Sequence, residues 1–395
     1  MKNLCFLSLV FSLLCGLFLG CSNNDEIIIC EYPEMTREIS IEANTCFHPW
    51  LAWNGTKYCA VWQGRYDNDM EIGYALLNSD GNPDPYVNVY LVMKGASESP
   101  KAVAAGSDFW LAWENYPNGT NYFEVYMYKA GGTYVYQITS GNAQYQNRLP
   151  ALCWNGSDFG LAWMMEVHDS GNPGNILYKK IWFRKVASSG SPYGEFVQIT
   201  SSESAYAEYP SIVWNGAGYG LAWQDNRNGN YAIFFARLNS TGDLISGSEI
   251  RVTSAAGDSQ RPILIWNGSS YGLAWHDNRS GRYQIYLALI SQAGNKTSSD
   301  IQISQSPQDA LYPSLAWAGD KWALAWQDKR DDNCDVFMTY ASKTGSKLDT
   351  DHQISFSDTP NWQPGPCLVW NGTKCVLIYN ENEGQDQDGK IIFCY

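Results

Sequence analysis

The chain has 395 residues, 45% of them hydrophobic and 14% aromatic, which is enough to bury a large core. A formal net charge of −14 argues against nucleic acid or an anionic membrane surface as a partner of the folded part. Seventeen Trp, 26 Tyr and 35 Gly, with no long helix-forming runs, point to an all-β protein.

Residues 1–20 read as an export signal. Lys2 precedes an apolar run over residues 4–19, too short for a comfortable membrane span of about 20 residues. The run ends Phe18-Leu19-Gly20-Cys21 and is followed by polar residues 22–26. This resembles a bacterial lipoprotein signal, which implies a lipidated Cys21, a tether over residues 21–35 and attachment to a cell-envelope membrane through that lipid alone. The alternative is an ordinary secretory signal with Cys21 incidental; either way the protein is expected to be exported. Eleven Cys suit an oxidising compartment. With Cys5, Cys15 and Cys21 set aside, eight remain, six of them near where the chain ends would meet. Disulfides are expected there with their pairing open, because no zinc-type spacing is present.

Residues 210–238 show the unit that organises the rest. Apolar runs at 211–214, 219–223 and 231–238 are separated by Asn215-Gly216 and by the polar stretch 225–230, the pattern of a three-stranded meander. Its anchor is a Pro followed four residues later by Trp, then Asn-Gly, an aromatic and a second Trp. The anchor starts at Pro49, Pro150, Pro210, Pro262 and Pro313, with weaker copies at Pro100 and Pro366. Successive prolines are 51, 50, 60, 52, 51 and 53 residues apart. Seven copies of one period in an all-β chain predict a seven-bladed β-propeller over residues 36–395.

A fourth, half-exposed strand precedes each next proline, as in Tyr136-Gln137-Ile138-Thr139 and Ile250-Arg251-Val252-Thr253. The seventh copy stops in its third strand, and Glu38-Ile39-Ser40-Ile41 has the pattern it lacks. The N-terminal strand is therefore expected to complete the last blade. In Tyr219-Gly220-Leu221-Ala222-Trp223 one face is bulky and the other small, so each blade is expected to press its aromatic face on a neighbour's glycine face.

The order P-x₃-W, Gly-ended turn, x-D-x-R-x-G and I/V-T resembles TolB-type propeller repeats, most closely at Asp225/Arg227, Asp277/Arg279 and Asp328/Arg330. The resemblance implies a propeller used for protein or ligand contact and carries over no catalytic residue. The Asp-x-Arg pairs read as structural pairs in the loops between second and third strands. The residues next to the anchoring prolines vary more between copies. His48, Arg148, Tyr209, Arg261 and Tyr312, with Trp362 in the last loop, are expected to face the channel mouth and either contact a ligand or pack the seam between blades. Residues 164–175 form a long loop without the Asp-x-Arg pair and read either as a lid or partner contact or as tolerated drift. Among the oxygen-rich loops, Glu381, Glu383, Asp386 and Asp388 are the best candidates for a Ca²⁺ site, and no other cofactor is expected. No catalytic constellation is recognisable: four His occur, without H-E-x-x-H or G-x-S-x-G. The sequence is thus read as a lipid-anchored envelope propeller acting as a binding or interaction scaffold, with an envelope protein or a carbohydrate as partner. The alternative is a secreted glycoside-active enzyme, hydrolase or lyase, with its site at the channel mouth.

Overall fold

The computed structural model describes residues 36–39, 46–66, 69–91, 95–117, 119–201, 205–330, 333–356, 365–383 and 388–395. The signal, Cys21, the tether to residue 35, Cys30, Ser40-Ile41, Trp362 and Asp386 lie outside them. The described residues form seven four-stranded antiparallel sheets. In blade 4 the strands are Ala207–Trp214, Tyr219–Asn228, Asn230–Leu238 and Ile250–Arg251, paired in chain order. Five other blades repeat that order. The seventh joins Cys367–Trp370, Cys375–Glu383 and Asp388–Cys394 to Thr36–Glu38 from the other end of the chain. The architecture is therefore a seven-bladed β-propeller closed by its N-terminal strand, as the repeat predicts. Pairing begins two residues earlier than expected, with Thr36 opposite Cys394 and Glu38 opposite Ile392. Ile39 continues it through its N–H to the Ile391 carbonyl at 2.9 Å.

The glycine faces receive the neighbouring blade's aromatics. A Cβ on Gly160 would lie 2.5 Å from the Tyr219 ring, and one on Gly220 equally close to Tyr271. Gly272 meets Trp322 in the same way. Each such ring is fully buried and contributes about 1.5–3 kcal/mol of apolar transfer free energy. The hairpin Asn of Trp-Asn-Gly also reaches across the seam. Asn155 Nδ2 donates to Tyr219 OH at 2.9 Å and Asn215 Nδ2 to Tyr271 OH at 2.6 Å. Asn371 of the last blade donates to Tyr58 OH of the first at 2.7 Å, so the ring closes with the same bond.

Two expectations are corrected. Cys59, Cys153, Cys367 and Cys394 are free and buried, not paired near the closure. They fill strand positions in the core as small apolar residues, and burial pushes the thiols up, Cys367 to about 11 and Cys153 and Cys394 to about 12. Residues 164–175 are not a loop. Strands Asp158–Asp169 and Asn172–Ala187 are extended and pair down to Asp169 opposite Asn172, because Val167, His168 and Ile176 continue the ladder.

Candidate functional site at the channel mouth

The innermost strand of six blades carries one shared irregularity. The residue before the anchoring proline has a positive φ: His48 49°, Ser99 54°, Leu149 53°, Tyr209 52°, Arg261 56° and Tyr312 52°. The ladder slips at the same point, between Glu208 and Ser211 and between Gln260 and Ile263 for example, so each X-Pro pair is a β-bulge. A left-handed backbone at a residue with a Cβ costs of order 1–3 kcal/mol and persists only when its surroundings hold it. Here the neighbouring blade does so. The freed N–H of Leu149 goes to Glu114 Oε2 at 2.7 Å and that of Arg261 to Gln224 Oε1 at 2.8 Å. The Tyr312 N–H goes to His276 Nδ1 at 3.2 Å. These acceptors occupy the position after the second Trp, where the sequence also has Gln63 and Gln327.

The bulges bring these side chains to a cavity of about 650 Å³ that continues down the inner strands between apolar walls such as Val103, Val213 and Ile263. His48, Arg148, Tyr209, Arg261 and Tyr312 all line it. Sequence reasoning missed Glu98, Lys101 and Glu114, which line it too. The signal for Glu114 was present as a polar residue following Trp113 in a strand that is otherwise core.

The mouth is cationic although the chain is acidic. The Arg261 guanidinium lies 3.6 Å from the Tyr209 ring centroid and 5.1 Å from that of Tyr312. Among the described residues no carboxylate pairs with it. Arg148 is different, held by Glu98 at 3.0 Å and Glu114 at 3.3 Å. The Lys101 amine sits 3.8 Å over the Trp50 ring. Desolvation in the channel wall, reinforced by the Arg261 charge, pushes Lys101 down to about 8. His48, hydrogen-bonded to Gln63 at 2.9 Å, is lowered by desolvation and by the charges of Lys101 and Arg261. Burial and Arg261 hold His276 down at about 3, so it is a neutral acceptor for the Tyr312 amide. Glu98 is raised, first by desolvation and then by Glu114, against the pull of Arg148.

The remaining candidates lie elsewhere. Asp225 accepts the Arg227 backbone and guanidinium at 2.8 and 2.5 Å, and the Trp223 indole at 3.4 Å. Arg227 continues to Glu249 at 2.7 Å and covers the Phe234 ring at 4.4 Å. Asp277/Arg279 with Asp300, and Asp328/Arg330 with Asp351, repeat this arrangement. None of these pairs lines the cavity, and Asp225, Asp277 and Asp328 fall on second strands rather than in loops. Glu381 and Glu383 lie at the end of Cys375–Glu383, and Asp388 opens the next strand. Among the described residues no three His, Cys, Asp or Glu side chains gather as a metal site.

A scan of protein-family profiles finds no match, and neither does a search of curated sequences. Solved structures match the fold. An oligogalacturonate lyase from Vibrio parahaemolyticus superimposes with a TM-score of 0.57 at 10% identity, covering 91% of this chain and 93% of that one. The Hadza microbial sialidase Hz136 gives 0.50 at 12% identity, over 85% and 75% of the two chains. The Pyrococcus horikoshii acylaminoacyl peptidase gives 0.53 at 10% identity over 90% of this chain, which spans only 52% of the peptidase. At such identities the likeness establishes the propeller. The proteins that carry these matched propellers are enzymes, and this overturns the expectation of a non-catalytic binding scaffold together with its TolB-like label. That expectation rested on missing motifs, and a channel-mouth site assembled from seven blades leaves no contiguous motif to find.

Proposed function

We propose that the chain is an exported enzyme that cleaves an anionic carbohydrate at the channel mouth by β-elimination. The observation that carries this reading is Arg261, a guanidinium clamped between two tyrosines without a carboxylate partner among the described residues, in one cavity with Lys101. Arg261 would bind the sugar carboxylate. Lys101, brought down to about 8, would take the proton α to that carboxylate. The C–H electron pair becomes the new C=C bond, the adjacent C–O bond breaks, and the leaving oxygen takes a proton from solvent water at the open mouth. Hydrolysis is less well served. It needs two carboxylates flanking the bond, whereas Glu98 and Glu114 are both tied to Arg148 and Glu114 is fully buried. The uronate substrate named for the Vibrio lyase and the acidic sugar of sialidases agree with a cationic mouth.

The test is incubation of the purified protein with a panel of uronate polysaccharides, following the ultraviolet absorbance of the unsaturated product. Product from the parent and none from Arg261→Ala supports the reading; no product from any substrate overturns it. The same proposal places the enzyme on the cell envelope through a lipid on Cys21, supported by the residues of the signal. Globomycin should then accumulate precursor and Cys21→Ala should release the protein from membranes; unchanged fractionation removes the anchor.

A further inference from the structure

Blades 4 to 6 share an ion-paired cover over one aromatic ring. In blade 4 it consists of Asp225, Arg227 and Glu249 over Phe234. In blade 5 Arg279 covers Tyr286 at 4.5 Å, and in blade 6 Arg330 covers Phe337 at 3.9 Å. The ring in each case stands opposite the second Trp of its blade, as Trp182 stands opposite Trp163 in blade 3.

Blade 3 has replaced all three members of the cover. Counting from the second Trp, Met165 stands for Asp225 and Val167 for Arg227; in the fourth strand Phe196 stands for Glu249. Two charges of one sign and one of the other have become apolar together. The exchange does not fill the space. A cavity of about 170 Å³ remains, lined by Trp163, Trp182, Phe196 and Met165 together with Asn142 and Asn147. Phe196 is 43% exposed at the edge of this cavity and stands edge-on to Trp163 at 5.6 Å. The Trp182 indole N–H is buried without an acceptor.

We propose that this cavity is a second binding site, for a single neutral pyranose ring. Aromatic walls match the C–H face of a sugar ring, and the idle Trp182 indole N–H matches a ring hydroxyl, the Asn147 amide being held by Glu124 and Trp163. Among the described residues no charged side chain lines the cavity, Glu124 lying behind Gly141 and Asn147 and Arg184 stacking on Phe196, so the ligand it fits is neutral, unlike that of the channel mouth. Asn147 of this site and Arg148 of the mouth are consecutive on strand Tyr145–Trp154, so the two sites are adjacent.

The experiment titrates the full chain with methyl β-D-glucopyranoside, methyl β-D-galactopyranoside and methyl N-acetyl-β-D-glucosaminide while observing tryptophan indole N–H resonances. At least one glycoside is expected to bind saturably and to shift the resonance that Trp182→Phe removes. The variant M165D/V167R/F196E rebuilds the cover of blade 4 and should weaken this binding at least tenfold. Arg261→Ala should leave it unchanged, which separates this site from the channel-mouth reading. No saturable binding by any of the three, or undiminished binding by the folded triple variant, overturns the proposal.

Discussion

The Arg261 guanidinium stacks on Tyr209, 3.6 Å from its ring centroid, and the two residues belong to neighbouring blades. Both hold left-handed backbones before proline, and the same bulge that strains each of them turns their side chains into the channel. Stacking fixes the guanidinium plane without consuming its hydrogen bonds, which leaves its N–H donors for a ligand. Arg261→Lys keeps the charge and loses the plane. Its KM for the anionic substrate should rise roughly tenfold, in keeping with about 0.5–2 kcal/mol for a cation–π contact plus the lost bidentate geometry, with a smaller change in kcat. Steady-state kinetics check this, and equal KM for the two proteins would count against the clamp.

Lys101 gives the reaction a pH profile. As a base it must be neutral, so the rate should rise with pH through about 8 and be lost in Lys101→Met. Stability follows the same group. Its folded value lies below the roughly 10.4 of an unfolded lysine, so between these the unfolded chain binds more protons and stability rises with pH. Denaturant midpoints should show that rise across the window in the parent and a smaller one in the variant.

His276 predicts acid sensitivity. Its folded value of about 3 lies below the ordinary 6.5, so its contribution is present above pH 6.5 and falls away as pH drops towards 3. His276→Gln installs the residue that blade 4 uses, where Gln224 accepts the Arg261 amide. The variant should fold, keep an acceptor for the Tyr312 amide and lose stability less steeply between pH 6 and about 4 than the parent does, as thermal melts would show.

Ring closure rests on Thr36–Glu38 and on the bond from Asn371 to Tyr58. Tyr58→Phe should cost about 1 kcal/mol by leaving the amide without its partner. The chain contains a natural counterpart. Trp322 stands where neighbouring blades have Tyr, and Asn267 Nδ2 beside it is buried without a partner. Removing residues 36–43 should destabilise the whole domain, and a variant melting like the parent would refute the closure as a source of stability.

The free thiols offer a check on the core. Cys59, Cys153, Cys367 and Cys394 are buried and shifted towards the protonated form, so a thiol reagent should modify them only after denaturation. Rapid labelling of the native protein would contradict their placement.

The seven anchors, the Asn-Gly hairpins and the Gly/aromatic alternation made the blades legible, because each is a local pattern repeated at one period. Five of the mouth residues could be named for the same reason, since they stand beside the anchoring prolines. Glu98 and Lys101 also flank an anchoring proline, but Pro100 opens a copy in which Ala104 replaces the first Trp, so its neighbours stand out less. The cysteines misled because their number and compartment argue for disulfides, whereas their pairing is decided by which strand faces they occupy. The loop expected at 164–175 misled because Gly171 and Pro173 read as a break, while the residues around them sustain the ladder.

By itself the sequence determined the number of blades, the strand that closes them and the face on which variation collects, all consequences of periodicity and side-chain alternation. Only the tertiary structure decided that six X-Pro bulges turn their side chains into one channel, and that Arg261 is clamped where Arg148 is neutralised. Those facts depend on contacts between blades about 50 residues apart, and a charge is free or paired according to what the neighbouring blade presents.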